Sequence, residues 1–411
     1  MKPVDYKLFF SVLFLVIFGM IMISSVSVYS SFRVTDIMAR AWRIEDAYNH
    51  FYVLRNISHV VIAMFMLGVV VKLPYKFFEK YSKYFFSATI IWLIVVLLIW
   101  SSWNGARGWI SIPWIPFTIQ PTEFLKFTLI LYLAYFFKRY KARMHTFSDW
   151  FLPFVAILSL LIFLIGSQPD FGTIMVIIPV SFVMFFMAWW NVRYLIVFFL
   201  LWAVLSSSIY FAGKYDKSIP EDRTKFSYIT DRIDNFLADP EETIKNKTIN
   251  YQTEQALIAI GSGWFRGLWF GKSIQKFWYL PEVQWDFIFS VIVEELWFIW
   301  ALGILSLYLY IGSRWLYIYR HVKDLFAKYV AIWISTWILI QAFINIWVNL
   351  NIVPLTWITL PFVSYGWSSL LSLCLWLAVL LNISRYTEDE TSSMRRDRKK
   401  RLQFIKKTLW S

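Results

Sequence analysis

The sequence predicts an all-α polytopic integral membrane protein with about ten transmembrane helices, and three observations predict it. Of 411 residues, 59% are hydrophobic and 16% are charged, where soluble globular domains carry about 25% charged residues. The apolar residues fall in runs of roughly twenty, the length that crosses a hydrocarbon core about 30 Å thick. The charges sit in short clusters between those runs and sum to +14. This balance excludes a disordered chain and argues against an ordinary soluble enzyme. The single cysteine, Cys374, lies within an apolar run, so the sequence offers no disulfide framework, cysteine zinc site or iron–sulfur cluster. Four histidines without ligand spacing predict no metal centre.

The apolar segments run over 8–30, 55–73, 85–101, 123–137, 150–166, 172–190, 193–212, 287–312, 328–350 and 359–383. Lys2 and Lys7 precede the first segment. It is too long for a signal-peptide core and no small-residue cleavage site follows, so it reads as an uncleaved first span. Basic clusters follow the second span (Lys72, Lys76, Lys80, Lys83), the fourth (Lys138, Arg139, Lys141, Arg143) and the eighth (Arg314, Arg320, Lys323, Lys328). The tail adds Arg395, Arg396, Arg398, Lys399, Lys400, Arg401, Lys406 and Lys407. With ten spans all of these fall on one side, which the positive-inside rule makes cytoplasmic, together with both termini. The expected organisation is a transmembrane domain over 1–385 and a basic cytoplasmic tail over 386–411. Topology and anionic headgroups account for the positive charge, so nucleic acid is not expected as a partner.

The longest outer loop, 213–286, is nearly charge-balanced. A polar stretch from Lys214 to Asn250 precedes a glycine-containing amphipathic stretch from Tyr251 to Asp286. A second outer loop, Asn104 to Gln120, carries little charge apart from Arg107. Long loops between spans are usually functional or mobile, which places the expected chemistry on the outer face.

Ionisable groups at span ends are costly and suggest function. Arg107 follows the third span, where it serves either as a headgroup anchor or as an anion contact. Glu123 and Lys126 share a helix face at i and i+3. They either pin a helix end as an ion pair or face a substrate. Asp286 opens the eighth span, as an N-cap or as a reactive carboxylate. Glu294 and Glu295 fit helix packing better, and Asp170 fits a cap. Taken together, the cations and Asp286 suit an anionic lipid-linked substrate. Arg and Lys would hold a pyrophosphate, and a carboxylate in an apolar site would take a proton from a sugar hydroxyl. The stretch Gly267 to Ser273 imitates a phosphate loop. It lacks the first glycine, since Arg266 stands there, and ATP binding is not expected.

Several stretches, in order, resemble the FtsW/RodA/SpoVE (SEDS) family of peptidoglycan polymerases. They are Asn104-Gly-Ala-Arg107-Gly-Trp109, Gln120-Pro-Thr-Glu123-Phe-Leu-Lys126, Gln168-Pro-Asp170-Phe-Gly-Thr173, Tyr251 to Gly263, Tyr279-Leu-Pro-Glu282, Asp286-Phe-Ile-Phe289 with Glu294-Glu295-Leu296, and Leu360 to Gly366. The Ile-Ser-Ser-Val-Ser end of the first span leans toward the division branch, FtsW, over the elongation branch. The resemblance implies polymerisation of lipid II into glycan strands at the outer face of the bacterial plasma membrane, in division or cell-shape maintenance. It implies Asp286 as general base, Arg107 and Lys126 against the leaving pyrophosphate, and Glu123 orienting Lys126 or the acceptor. Gln120, Lys276, Glu282, Ser364 and Ser368 are further candidates for lining the substrate site. No cofactor is implied with certainty; a divalent cation is the one candidate. A class B penicillin-binding protein is the implied partner, with other divisome or elongasome proteins. A lipid II flippase and a division scaffold are the competing readings. No inverted-repeat hydropathy is detected, which disfavours a repeat-type transporter.

The chain departs from the family in one systematic way. Tryptophan stands where the family usually has glycine, at 264, 269, 297, 300, 357 and 367, and the pattern extends to 114, 189, 190, 278 and 347. Tryptophan (24) outnumbers glycine (14). Glycine is thus about 3% of the chain, against about 7% in average proteins. So many large side chains at small-residue sites would overpack a helical bundle. The pattern fits a gene that reads UGA as glycine in its own cell but has been written out with UGA as tryptophan. Gln284-Trp285 before Asp286 replaces a common hydroxyl neighbour and leaves the local bonding of Asp286 open.

Overall fold

The computed structural model describes residues 2–99, 110–111, 118–141, 147–168, 170–188, 192–217, 227–237, 250–263 and 266–387. Every predicted span overlaps a helix, although the last, 359–383, is helical only from Trp367. Seven helices among the described residues are long and apolar enough to cross a membrane. They include α1 (Tyr6–Val26), α3 (Phe51–Val70), α4 (Tyr75–Ile99) and α6 (Leu152–Gly166), the last entered through a π-helical turn at Phe147–Phe151. Three more helices fill the remaining predicted spans: α5 (Pro121–Tyr140), α7 (Phe171–Ala188) and α8 (Val192–Lys217). A short helix α2 (Val28–Arg40) extends the first span beyond Ser27. The outer loop adds α9 (Ser227–Leu237) and α10 (Asn250–Gly263).

The eighth predicted span is two helices. α11 (Ile288–Leu296) stops at Trp297, and α12 (Phe298–His321) starts after it. Trp297 has φ 80° and ψ 154°, a conformation that no helix can continue through. α13 (Leu325–Asn349) and α14 (Trp367–Ser384) complete the bundle. Of the seven long apolar helices these two are the most buried, at 67% and 78%. α13 packs against α5, α7 and α12, and α14 packs against α3 and α5. A two-residue antiparallel pair, Ile110 with Ile119 and Ser111 with Thr118, leads the chain into α5.

Buried apolar stripes hold the helices together, and capping carboxylates fix their ends. Asp5 accepts the amide of Leu8 at the start of α1, and Arg314 of α12 pairs with the same carboxylate at 2.7 Å. Asp324 caps α13 through the amide of Ala327 and meets Lys138 of α5 at 2.8 Å. Glu79 of α4 reaches the same lysine. One end of the bundle is therefore laced by ion pairs drawn from the predicted basic side. The opposite end gathers the start of α3, α5, α7, α11 and α14 with the end of α13, and the candidate site lies there.

Candidate active site

Asp286 lies on the turn before α11 and is 7% exposed. Two asparagines of α13 hold its backbone. The Nδ2 groups of Asn345 and Asn349 donate to its carbonyl oxygen at 2.8 and 2.9 Å. Asn349 also accepts from the amide and hydroxyl of Ser290, at 3.1 and 2.6 Å, which locks the first turn of α11 to the same clamp. The amide of Asp286 donates to the carbonyl of Glu282 at 3.2 Å, closing the turn. Burial pushes the Asp286 carboxyl up to about 7, and the negative charge of Glu282 adds to the rise. Arg232 of α9 opposes it. The N-cap alternative fails, because Phe287 is the capping residue of α11 and makes no side-chain cap.

Lys126 meets Glu123 at 2.6 Å, with both side chains nearly covered. Their helix end is fixed from two sides. The amide of Gln120 donates to the hydroxyl of Ser368 at 3.1 Å, and the hydroxyl of Ser372 donates to the carbonyl of Glu123 at 2.9 Å. Asp170 caps α7 as expected, through the amide of Thr173 at 3.0 Å. It also accepts from Thr122 at 3.1 Å and from Gln120 at 3.4 Å, so it fastens α7 to α5. The starts of α5, α7 and α14 converge here, and their partial positive charges favour an anion.

One loop connects the two groups. The amide of Tyr365 donates to the carbonyl of Gln284 at 2.9 Å, and Ser368 lies three residues further on against Gln120. The Asp286 turn and the Glu123–Lys126 helix end are thus tied to neighbouring points on one strap. Ser364 lies in that strap, where its hydroxyl accepts the amide of Leu360 at 2.8 Å. Glu282 is exposed on the turn before Asp286. Arg107 lies outside the described residues.

Lys276 stands apart from this group. Its ammonium pairs with Glu295 at 2.8 Å and donates to Ser25 at 2.9 Å, and its side chain is 2% exposed. In this structure its ammonium is held within the fold by Glu295 and Ser25. Glu295 also accepts from Ser25 and from the amides of Gly271 and Ser273. Glu294 accepts from Ser273 and from the amides of Ile274 and Gln275. The false phosphate loop is therefore folded around two buried carboxylates, which take the amides of Gly271, Ser273, Ile274 and Gln275.

Arg232 is the residue that sequence reasoning missed. It is buried, donates to the carbonyl of Leu355 at 2.6 Å and stacks 4.2 Å from the ring of Trp357. The same segment reaches Asp286, because the carbonyl of Ile358 accepts from Asn345 at 2.7 Å. The signal that could have found it is the amphipathic pattern of Ser227–Leu237 inside a stretch that is polar overall.

The fold and this site define a class: a multi-pass helical membrane protein with a buried carboxylate and a buried ion pair at one end of its bundle. A family model for FtsW, RodA and SpoVE, described as cell cycle protein, matches residues 6–389. The chain is 32% identical over 376 residues to a probable peptidoglycan glycosyltransferase FtsW of Coxiella burnetii, covering 90% of this chain and 93% of that one. It is 32% identical over 386 residues to stage V sporulation protein E of Bacillus subtilis, covering 93% and 97%. A chain of a peptidoglycan synthase complex superposes with a TM-score of 0.71 at 22% identity, covering 95% of this chain and all of that one. RodA of Thermus thermophilus superposes with a TM-score of 0.63 at 22% identity, covering 94% and 98%. The chain belongs to the FtsW/RodA/SpoVE family.

Proposed function

We propose that this protein is a peptidoglycan glycosyltransferase that polymerises lipid II at the outer face of the bacterial plasma membrane. The observation that carries the reading is Asp286. Its carboxyl is buried, its backbone is clamped by Asn345 and Asn349, and its pKa is pushed up to about 7. A base poised near the working pH is what removal of a hydroxyl proton requires.

In the proposed step the acceptor sugar hydroxyl loses its proton to Asp286 as its oxygen attacks the anomeric carbon of the donor. The bond from that carbon to the pyrophosphate oxygen breaks, and the polyprenyl pyrophosphate leaves with the electron pair. Lys126 and Arg107 offset the charge that develops on the leaving group. Glu123 holds Lys126 in place, and Gln120, Ser364, Ser368 and Glu282 line the approach. Arg232 tunes Asp286 and holds the 355–358 segment. A divalent cation at the pyrophosphate is compatible with this chemistry, and the described residues contain no cluster built to hold one. Both termini are cytoplasmic in this proposal, and the division site is the expected location. The peptidoglycan synthase complex whose chain shares this fold coordinates polymerization with crosslinking. A polymerase of the same fold would need a crosslinking protein beside it, and a class B penicillin-binding protein is the expected partner.

Purified protein supplied with labelled lipid II tests the reading. Glycan ladders that vanish in Asp286→Ala are expected. Lipid II flipping that survives Asp286→Ala, with no polymer from the parent protein, would make the chain a flippase. Complementation of growth by Asp286→Ala would make it a scaffold.

A further inference from the structure

Eight non-glycine residues among those described have positive φ, and five of them are tryptophan: Trp42 (55°), Trp269 (76°), Trp278 (73°), Trp297 (80°) and Trp357 (53°). Tryptophan is only 24 of the 411 residues. Positive φ is uncommon outside glycine, asparagine and aspartate, and for a bulky side chain it is an outlier. Asn351 at 52° is the kind of residue expected there. Trp297 is the extreme case. Its pairing of φ 80° with ψ 154° belongs to a region that essentially only glycine occupies.

None of these five side chains belongs to the buried core, although Trp357 covers Arg232 and Trp278 meets Tyr29. Their exposures are 95% at 42, 67% at 269, 75% at 278, 38% at 297 and 55% at 357. A membrane-interface belt of aromatics would explain exposed indoles, but it gives no reason for left-handed backbone beneath them. Position 297 is also crowded. A Cβ placed on Gly267 would lie 2.6 Å from the Trp297 ring and 2.8 Å from its amide, so two chain segments approach as glycines allow.

A second group of tryptophans is anomalous for a different reason. Trp315, Trp333, Trp337 and Trp376 are at most 1% exposed, and their indole nitrogens have no hydrogen-bond partner. A buried indole N–H normally finds one. They lie on α12, α13 and α14, whose interfaces small residues would serve better.

We infer that residues 42, 269, 278, 297 and 357 are glycine in the native polypeptide, because the source cell reads UGA as glycine. The backbone geometry carries this inference independently of the proposed reaction. It also bears on the site. Glycine at 357 removes the ring that covers the Arg232 guanidinium, and glycine at 297 makes the break between α11 and α12 an unstrained turn.

Mass spectrometry of the protein isolated from its own cells decides the matter. The tryptic peptide 267–272 reports position 269, and the fragment beginning at Phe277 reports 278 and 297. Peptide 267–272 is expected to be lighter by the difference between an indolylmethyl group and hydrogen, and the fragment beginning at Phe277 by at least twice that difference, with fragment ions reading glycine. Tryptophan at 269, 278 and 297 would overturn the inference. Recombinant protein gives a second reading. The version with glycine at all five positions is expected to yield more folded protein and to melt at a higher temperature than the sequence as written. A lower melting temperature for the glycine version would count against the inference.

Discussion

The side-chain amide of Asn349 lies 2.9 Å from the backbone carbonyl of Asp286, while its oxygen takes both the amide and the hydroxyl of Ser290. Asn349 closes α13, and Asp286 opens the turn into α11. The candidate base is therefore held through its backbone by α13. Asn349→Leu keeps the bulk and removes every one of these bonds. Misplacing a reacting group by an ångström costs about 100-fold in rate, so polymerisation should fall by about that factor. Glycan synthesis per folded molecule, with folding followed by thermal unfolding in detergent, checks this. Full activity in the variant would show that the clamp does not position the base.

The raised pKa of Asp286 gives a signed pH dependence. Its base form appears as pH rises through about 7, so polymerisation should climb over that interval. Glu282 raises the pKa and Arg232 lowers it. Glu282→Gln should therefore move the midpoint to lower pH, and Arg232→Gln to higher pH. Stability runs the other way. A carboxyl with a folded pKa of about 7 and an ordinary value of 3.8 favours the fold fully below the lower value, and that contribution is lost as pH rises through the higher one. Asp286→Asn should thus be more stable than the parent above pH 7 while making no polymer. Rate profiles and unfolding midpoints between pH 5 and about 9 read out both effects.

The helices were legible because length and polarity determine them. Each span is a run of apolar residues that the bilayer demands, and each overlaps a helix, the eighth one broken and the tenth starting late, at Trp367. The break inside 287–312 was not legible, because Trp297 is apolar and hydropathy cannot register a backbone that turns left-handed. Glu123 and Lys126 were legible as a pair because i and i+3 share a face. Lys276 was a candidate on the family resemblance alone, and its pairing was not legible in the sequence. Its partner is 19 residues away at Glu295, a distance that only tertiary packing closes. Arg232 was hidden for the converse reason. Its loop is polar overall, and its burial depends on the segment at Leu355, far along the chain.

The holding role of Lys276 separates stability from catalysis. Removing one partner of a buried ion pair costs about 3 kcal/mol or more, because the other charge stays buried. Lys276→Ala should destabilise the protein by about that amount. Activity per folded molecule should stay near the parent value at temperatures where the variant remains folded. Denaturation midpoints together with initial rates at low temperature make the separation. A rate loss without any loss of stability would instead return Lys276 to the substrate.

Glu123 and Lys126 admit the opposite result, because their pairing serves both the fold and the proposed leaving-group contact. The side chains meet at 2.6 Å within one helix turn, so exchanging them, Glu123→Lys with Lys126→Glu, preserves an i and i+3 ion pair. Folded yield should recover relative to either single substitution. Polymerisation should not, since the exchange moves the cation one turn toward the start of α5 and puts a carboxylate where the pyrophosphate charge develops. Losing one preorganised stabilising group costs about 100-fold in rate, and the double variant should be at least that slow. Recovery of rate together with yield would reduce the pair to a pin at the helix end.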